Sequence, residues 1–436
     1  EYVSKSSNGD IAFGFQNMDA KLTLLSEPEG ARTVNQNSAV AYIGSDYNTG
    51  WMHGDTEGAF LSSTDTTDSN ADTLNAGNAF DGTFASSTGW TANSDWSIGG
   101  GVATCNGNDS GKFIYPANDR WSYRRSVVVE VTVTAYTSGT LSVSYGTGSA
   151  TSGTNMTATG TYKFVNITTG NDLIYFRSDS FVGSIDNVKI YYAEEDRTRN
   201  KKGLITYGTV TKSAVATGAE LVAYSGFSAS NYLAQPYNSD LNPGSGSYSV
   251  VAWFKTESNN SGSGVITGLG NSDSDEVMLV YVASAYGIYF DYGSGTEYVK
   301  LSDSVDKSMV RDGNWHQVVC QVAAGEVGEI YIDGIKKSTA QNVAAPSTWS
   351  QWDTNYRLYV GCGRGLGSLP FSGSISLVRY SLSKISAEQI KKMYNDERHL
   401  FQENAKATLY GSSDAVTGLA HDDSTDSLHV GTSSGR

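Results

Sequence analysis

Residues 246–255 read GSYSVVAWFK, residues 312–319 read DGNWHQVV, and residues 330–334 read IYIDG. The first two are apolar runs rich in β-branched and aromatic side chains, bounded by Gly, Ser, Asp and Asn, the pattern of strands between turns. The third ends in Asp333-Gly334, a dipeptide suited to a two-residue hairpin because glycine supplies positive φ. Working outward, YSGFSASNYL (224–233) and Asp240-Leu241 come before, while YVG (359–361), FSGSI (371–375) and VRYSLS (378–383) come after. Ser386 and Gln389 form a capping box, Ile385 can staple onto Ile390, and Ile390, Met393 and Tyr394 give a short helical apolar face. Trp253 and Trp315 are expected to face an inter-sheet core, and His316, the next residue, to face outward.

In this order the motifs resemble the laminin-G-like, concanavalin-type jelly roll: a "SVxxWFK" strand, a "DGxWHxV" turn and strand, a "YIDG" hairpin and a closing "VRxY…LS" strand. The resemblance implies a two-sheet sandwich with a helix packed beside its last strand. It also implies a lectin-type role and a Ca²⁺ site written "G-x-I-D-x-V-R". Here that stretch is GSISLVR (373–379), with Ser376 at the Asp position, and the acidic loop 271–276 is a substitute candidate.

Residues 77–192 alternate strongly, as in VVVEVTVT (127–134), TLSVSY (140–145), LIYF (173–176) and IDNVKIY (185–191). The segment opens NAFDG, continues through Trp90 and Trp96, and closes FVGSIDNV. This order resembles β-sandwich carbohydrate-binding modules that begin "NGDFE…GW" and end "IDDV". The resemblance places Asp81 and Asp186 where such modules hold a structural Ca²⁺ through carboxylates and carbonyls.

The ends are β-rich. AVAYIGSDYNTG near the start and SLHVGTSSG at the close share a strand-end cadence that resembles a propeller blade, and one propeller interrupted by two insertions would explain both. Residues 62–75 (SSTDTTDSNADTLN) read as a loop or linker, and 194–203 (EEDRTRNKKG) as a solvated connector or an anion patch on Arg197, Arg199, Lys201 and Lys202. The expected organisation is all-β: a propeller-blade-like N-terminal segment (1–66), a carbohydrate-binding-module-like sandwich (67–194), a charged linker (195–204), a laminin-G-like jelly roll (205–401) and a blade-like hairpin (402–436).

Composition limits the function. The chain has 436 residues, 48 of them glycine, with 17% charged residues, which favours strands and tight turns over long helices. Thirty basic against 45 acidic side chains leave a charge of −15, which repels a phosphate backbone and argues against nucleic acid. No apolar run approaches about 18 residues, so no membrane-spanning helix is expected. Cys105, Cys320 and Cys362 are too few for a disulfide framework; they are buried thiols, or Cys320 and Cys362 bridge neighbouring strands.

Catalytic patterns are missing. Glycoside cleavage needs two carboxyl groups roughly 5 to 9.5 Å apart, and no E-x-D-x-x-E strand occurs; Glu329 and Asp333 are four apart, with Asp333 in a turn. Glycan recognition instead needs aromatic faces with polar groups beside them. The candidates are Trp349, Trp352 and Tyr356 in STWSQWDTNY, and Trp121 and Tyr123 between Arg120 and Arg124. The sequence therefore points to an extracellular, non-catalytic binding protein for cell-surface glycans, displayed as a homo-oligomer. Its modular build resembles tail-fibre and host-attachment proteins of bacterial viruses. The carbohydrate-binding part of a secreted glycan-processing protein and a purely architectural virion decoration are the alternatives.

Overall fold

The computed structural model describes residues 2–5, 11–14, 56–70, 80–117, 126–146, 150–167, 173–198, 200–217, 219–256, 262–270, 276–284, 287–293, 298–302, 309–337, 344–345, 356–363, 368–401, 416–422 and 427–432. Two compact units divide the chain. One gathers residues 1–53, 216–220 and 400–436, the other 54–215 and 221–399. In the first, Tyr2–Lys5 pairs with Ile11–Gly14 and Val416–Asp422 with Ser427–Thr432, each as an antiparallel hairpin.

In the second unit the SVVAWF run forms the strand Ser247–Thr256, flanked by Trp315–Ala323 and Gly373–Ser381. These three form the centre of a nine-stranded sheet that reaches Ile335–Lys336 at one edge and Ser69–Asn70 at the other. A seven-stranded sheet opposes it, running from Ile205–Tyr207 through Arg357–Val360 and Gly264–Gly270 to Tyr298–Ser302. Val250, Phe254, Val318 and Cys320 from one sheet pack with Leu269, Met278, Phe290 and Val360 from the other. At the hairpin tip Asp333 (φ 55°) and Gly334 (φ 73°) are both left-handed, as a type I′ turn requires.

This register corrects the expected facing of three residues. Ala252 and Phe254 point into the core, so Trp253 lies on the opposite face. Trp253 is buried there by the helix Ala387–Glu397. Its ring stacks on Tyr394 at 5.7 Å, and its indole N–H donates to Glu397 Oε2 at 2.7 Å. Likewise His316 shares the core side with Val318 and is buried against Phe254 at 6.0 Å, while Trp315 faces away and donates to the Val215 carbonyl. The helix starts as the capping pattern predicts, with Ser386 Oγ accepting from Gln389 N–H at 3.2 Å.

The jelly roll is discontinuous in sequence. Thr56–Phe60 pairs with the C-terminal half of Gly373–Ser381, placing Phe60 opposite Val378, and Ser69–Asn70 pairs with Thr209–Ala214. Residues 56–70 are therefore jelly-roll residues, not part of an N-terminal segment or of the sandwich. The sandwich is inserted between them and residue 204. The expected connector at 195–204 is packed rather than solvated: Asp196, Thr198 and Leu204 are all buried. Asp196 accepts bonds from the N–H groups of Ala59, Thr198 and Lys202 and from Thr198 Oγ1 at 2.8–3.1 Å. Its basic neighbours are occupied too: Lys202 pairs with Asp240 at 2.8 Å and Arg197 donates to the Ser62 carbonyl.

Two long strands, Ser126–Gly146 and Leu173–Tyr192, carry the inserted sandwich. They pair along most of their length, with register shifts near Asp179 and Ser184 that bend them around one core. Val129, Val131, Val143, Phe176, Ile185 and Ile190 fill that core. At the bend Gly139 (φ 75°) lies against Ser180; a Cβ there would sit 2.0 Å from the Ser180 carbonyl oxygen.

Candidate functional site

Alternation along Ser110–Pro116 and Leu173–Tyr192 sends Ile114 and Phe176 into the core and Phe113, Tyr115, Tyr175 and Arg177 to the opposite face. There the three rings meet: Tyr115 and Tyr175 at 4.7 Å, Phe113 and Tyr175 at 5.2 Å, Phe113 and Tyr115 at 5.8 Å. All three are half-buried, as is Arg177. In register beside them, Ser144 pairs with Tyr175 and Ser142 with Arg177, and both serines are buried. Burying a three-ring cluster in the core would satisfy it by packing alone. Placed on an outer face and partly exposed, the rings offer an apolar platform with the Arg177 side chain beside it, suited to a ring-shaped ligand.

Two recesses also open on this unit. One, of about 590 Å³, lies among Phe227, Lys255, Thr256, Phe371 and Ser374; the other, of about 390 Å³, lies among Asp65, Asp68, Tyr192, Glu194 and Lys212. Phe227 and Phe371 are buried and present little ring face to the first. In the second, Glu194 is engaged by Ser69, Tyr224 and Lys212.

Of the aromatic residues singled out from the sequence, Tyr356 is only 1% exposed and belongs to the jelly-roll core, so it cannot stack on a ligand. It sits at the entry to Arg357–Val360, where alternation directs it inward together with Leu358 and Val360. Trp121, Tyr123, Trp349 and Trp352 lie outside the described residues, as do residues 271–275. Sequence reasoning missed the platform. Its signal was the odd-numbered aromatics of KFIYP (112–116), which alternate with a core isoleucine.

The proposed Ca²⁺ ligands are engaged locally. Asp81 accepts from Thr83 N–H and Oγ1 at 3.0 and 2.7 Å and from Ser86 N–H at 2.9 Å, bonds that hold its carboxyl below the usual range. Asp186 accepts from the Asn187 N–H and Nδ2. Among the described residues no three His, Cys, Asp or Glu side chains come together as a metal site. Each of the two aspartates caps its own turn.

The other titratable clusters are structural. Glu329 accepts from Gln321 Nε2 and Lys336 Nζ, both at 2.7 Å; although burial opposes it, these bonds keep it ionised and unsuited to act as a general acid. Asp333 accepts from Gln317 N–H at 3.0 Å and bonds His316 Nδ1 at 2.7 Å, while His316 Nε2 lies 3.1 Å from Asp312. Burial works against the imidazolium, but the two aspartates outweigh it and raise the His316 pKa. Cys105, Cys320 and Cys362 are all buried and none is in a disulfide, so the Cys320–Cys362 bridge does not form. No described helix is long and apolar enough to cross a membrane.

Fold and surface together define a lectin-type, all-β jelly roll carrying an inserted β-sandwich. Residues 227–391 match the family model described as the Concanavalin A-like lectin/glucanases superfamily. Among solved structures, the chain is similar to the binding domain of Paraclostridial Mosquitocidal Protein 1 (10% identity, 46% of this chain and 49% of that one, TM-score 0.37). It is also similar to the botulinum neurotoxin serotype D binding domain (14% identity, 47% and 49%, TM-score 0.34). A third is the binding domain of botulinum neurotoxin DC in complex with rat synaptotagmin II (13% identity, 46% and 48%, TM-score 0.35). The chain spans about half the length of these structures. No curated protein matches it.

Proposed function

We propose that this protein is an extracellular, non-catalytic adhesin that binds cell-surface glycans through the inserted sandwich, as part of a multi-copy attachment fibre of the bacterial-virus type. The observation that carries the proposal is the half-exposed platform of Phe113, Tyr115 and Tyr175 on an outer sheet face. Aromatic rings kept at a surface cost the protein buried apolar area, and stacking on a sugar ring recovers it. One such platform binds weakly, and display in several copies multiplies its avidity without new contacts. The lectin-type jelly roll supports the same role, and its Glu329 and Asp333 carboxylates are taken up by structural hydrogen bonds.

The test is a glycan array probed with the intact chain and with Tyr115→Ala. Binding to a defined saccharide class, weakened by at least about tenfold in the variant (about 1.4 kcal/mol), is the expected result. A folded chain that binds no saccharide would shift the assignment to an architectural role.

A further inference from the structure

We infer that the platform selects sugars carrying a carboxylate, with Arg177 as the residue that recognises the acid. The inference rests on the glycan-binding reading above and goes further by naming the ligand class. Three half-buried lysines of this unit are matched to carboxylates, Lys163 to Glu130 at 2.7 Å, Lys202 to Asp240 at 2.8 Å and Lys112 to Asp109 at 3.3 Å, and half-buried Arg197 donates to the Ser62 carbonyl. Arg177 is half-buried on the platform, opposite Phe113 in the strand pairing, and among the described residues its guanidinium has no ion pair or hydrogen bond. The nearest acid along its own strand, Asp179, instead accepts from Ser110 Oγ at 2.6 Å.

Gly111 (φ 79°) lies beside this guanidinium, and a Cβ there would meet Nη2 in ordinary contact at 3.7 Å. A guanidinium that gives up part of its hydration without a partner is poised for one, and its planar fork matches a carboxylate through two parallel hydrogen bonds. The chain's charge of −15 narrows the ligand further. A densely sulfated polymer needs a basic patch, whereas one isolated cation among aromatic rings suits a pyranose with one carboxylate. Uronic and sialic acids share this chemistry.

The experiment uses the intact chain and isothermal titration with four probes: oligogalacturonide and its methyl ester, and sialyllactose and lactose. The inference expects at least one acidic probe to bind about tenfold or more tighter than its neutral counterpart. The responding pair identifies the source of the acid. Arg177→Gln is expected to bring the acid-to-neutral ratio to about one with an unchanged circular dichroism spectrum; Tyr115→Ala is expected to weaken acidic and neutral probes alike. An acid-to-neutral ratio near one, or a ratio that survives Arg177→Gln, would overturn the acidic-sugar inference and leave the glycan reading intact. No binding of any probe, or of any saccharide on the array, by a folded chain would overturn both.

Discussion

In the inserted sandwich, Phe113, Tyr115 and Tyr175 stand half-exposed on the outer face of a sheet; in the jelly roll, Trp253 occupies an equally outward position and is completely covered. The difference lies in what each outer face meets. Over the jelly roll the helix Ala387–Glu397 supplies Tyr394 to stack on the indole and Glu397 to receive its N–H. Over the sandwich platform the described residues supply no helix. Aromatic residues at outward positions are thus covered by a helix in one domain and stay partly exposed in the other, which is why the candidate surface falls on the inserted domain although the lectin-type family match falls on its host.

The largest effect expected from perturbing this arrangement is at Glu397. Both its oxygens are taken by Arg379, through Nη1 at 2.6 Å and Nη2 at 2.7 Å, and both residues are buried. Glu397→Ala strands the guanidinium and frees the Trp253 N–H, at an expected cost of about 3–5 kcal/mol, read as a lower urea midpoint. Replacing Arg379 and Glu397 together by Met and Leu should recover most of the loss, because the penalty comes from the orphaned charge. Equal destabilisation in the single and double variants would show that the helix is held by packing alone.

A smaller effect is expected at the joint between the domains. Asp196 is buried, which raises its pKa despite the four hydrogen bonds it accepts. Those bonds tie the first jelly-roll strand, at Ala59, to the segment that returns from the sandwich. Asp196→Ala leaves three N–H groups without their acceptor, at an expected cost of about 1–3 kcal/mol. Scanning calorimetry should then resolve separate transitions for sandwich and jelly roll where the parent gives one. A single transition in the variant would mean that the remaining contacts, including Lys163 over the Tyr207 ring at 4.4 Å, couple the domains sufficiently.

How far the sequence carries follows from the same contrast. The ordered motifs of residues 224–383 suffice for the jelly roll because each combines a turn residue with a strand of fixed length. Facing was not legible there: SVVAWF is apolar at successive positions, so both sheet faces are buried and alternation gives no parity, which is how Trp253 and Phe254 were exchanged. Nor was the insertion. TEGAF (56–60) is five residues without a motif, and its partner at 378–381 is more than 300 positions away. The platform was half legible. KFIYP alternates visibly, but its partner LIYF is aromatic on both faces, and only the register Phe176 to Ile114 shows that Tyr175 joins Phe113 and Tyr115.

The smallest expected effect tests whether polar groups in the jelly roll serve structure alone, in contrast to those of the platform. His316 lies between Asp333 on the hairpin and Asp312 on the preceding turn, and Phe254 lies beside it. Burial disfavours its charge, yet the two carboxylates raise its pKa above the ordinary histidine value. A group with a raised folded pKa stabilises the fold fully below its unfolded pKa of about 6.5 and loses that contribution as pH climbs through the folded value. For Asp312, burial pushes the pKa up, but the bonds from Asn314 and His316 outweigh it and lower the pKa, so its share is lost only as pH falls through that lowered value. The difference in urea midpoint between the parent and His316→Gln should therefore shrink as pH rises above about 6.5. A difference that stays constant through that range would mean that His316 is neutral in the fold and that the turn is held by neutral hydrogen bonds alone.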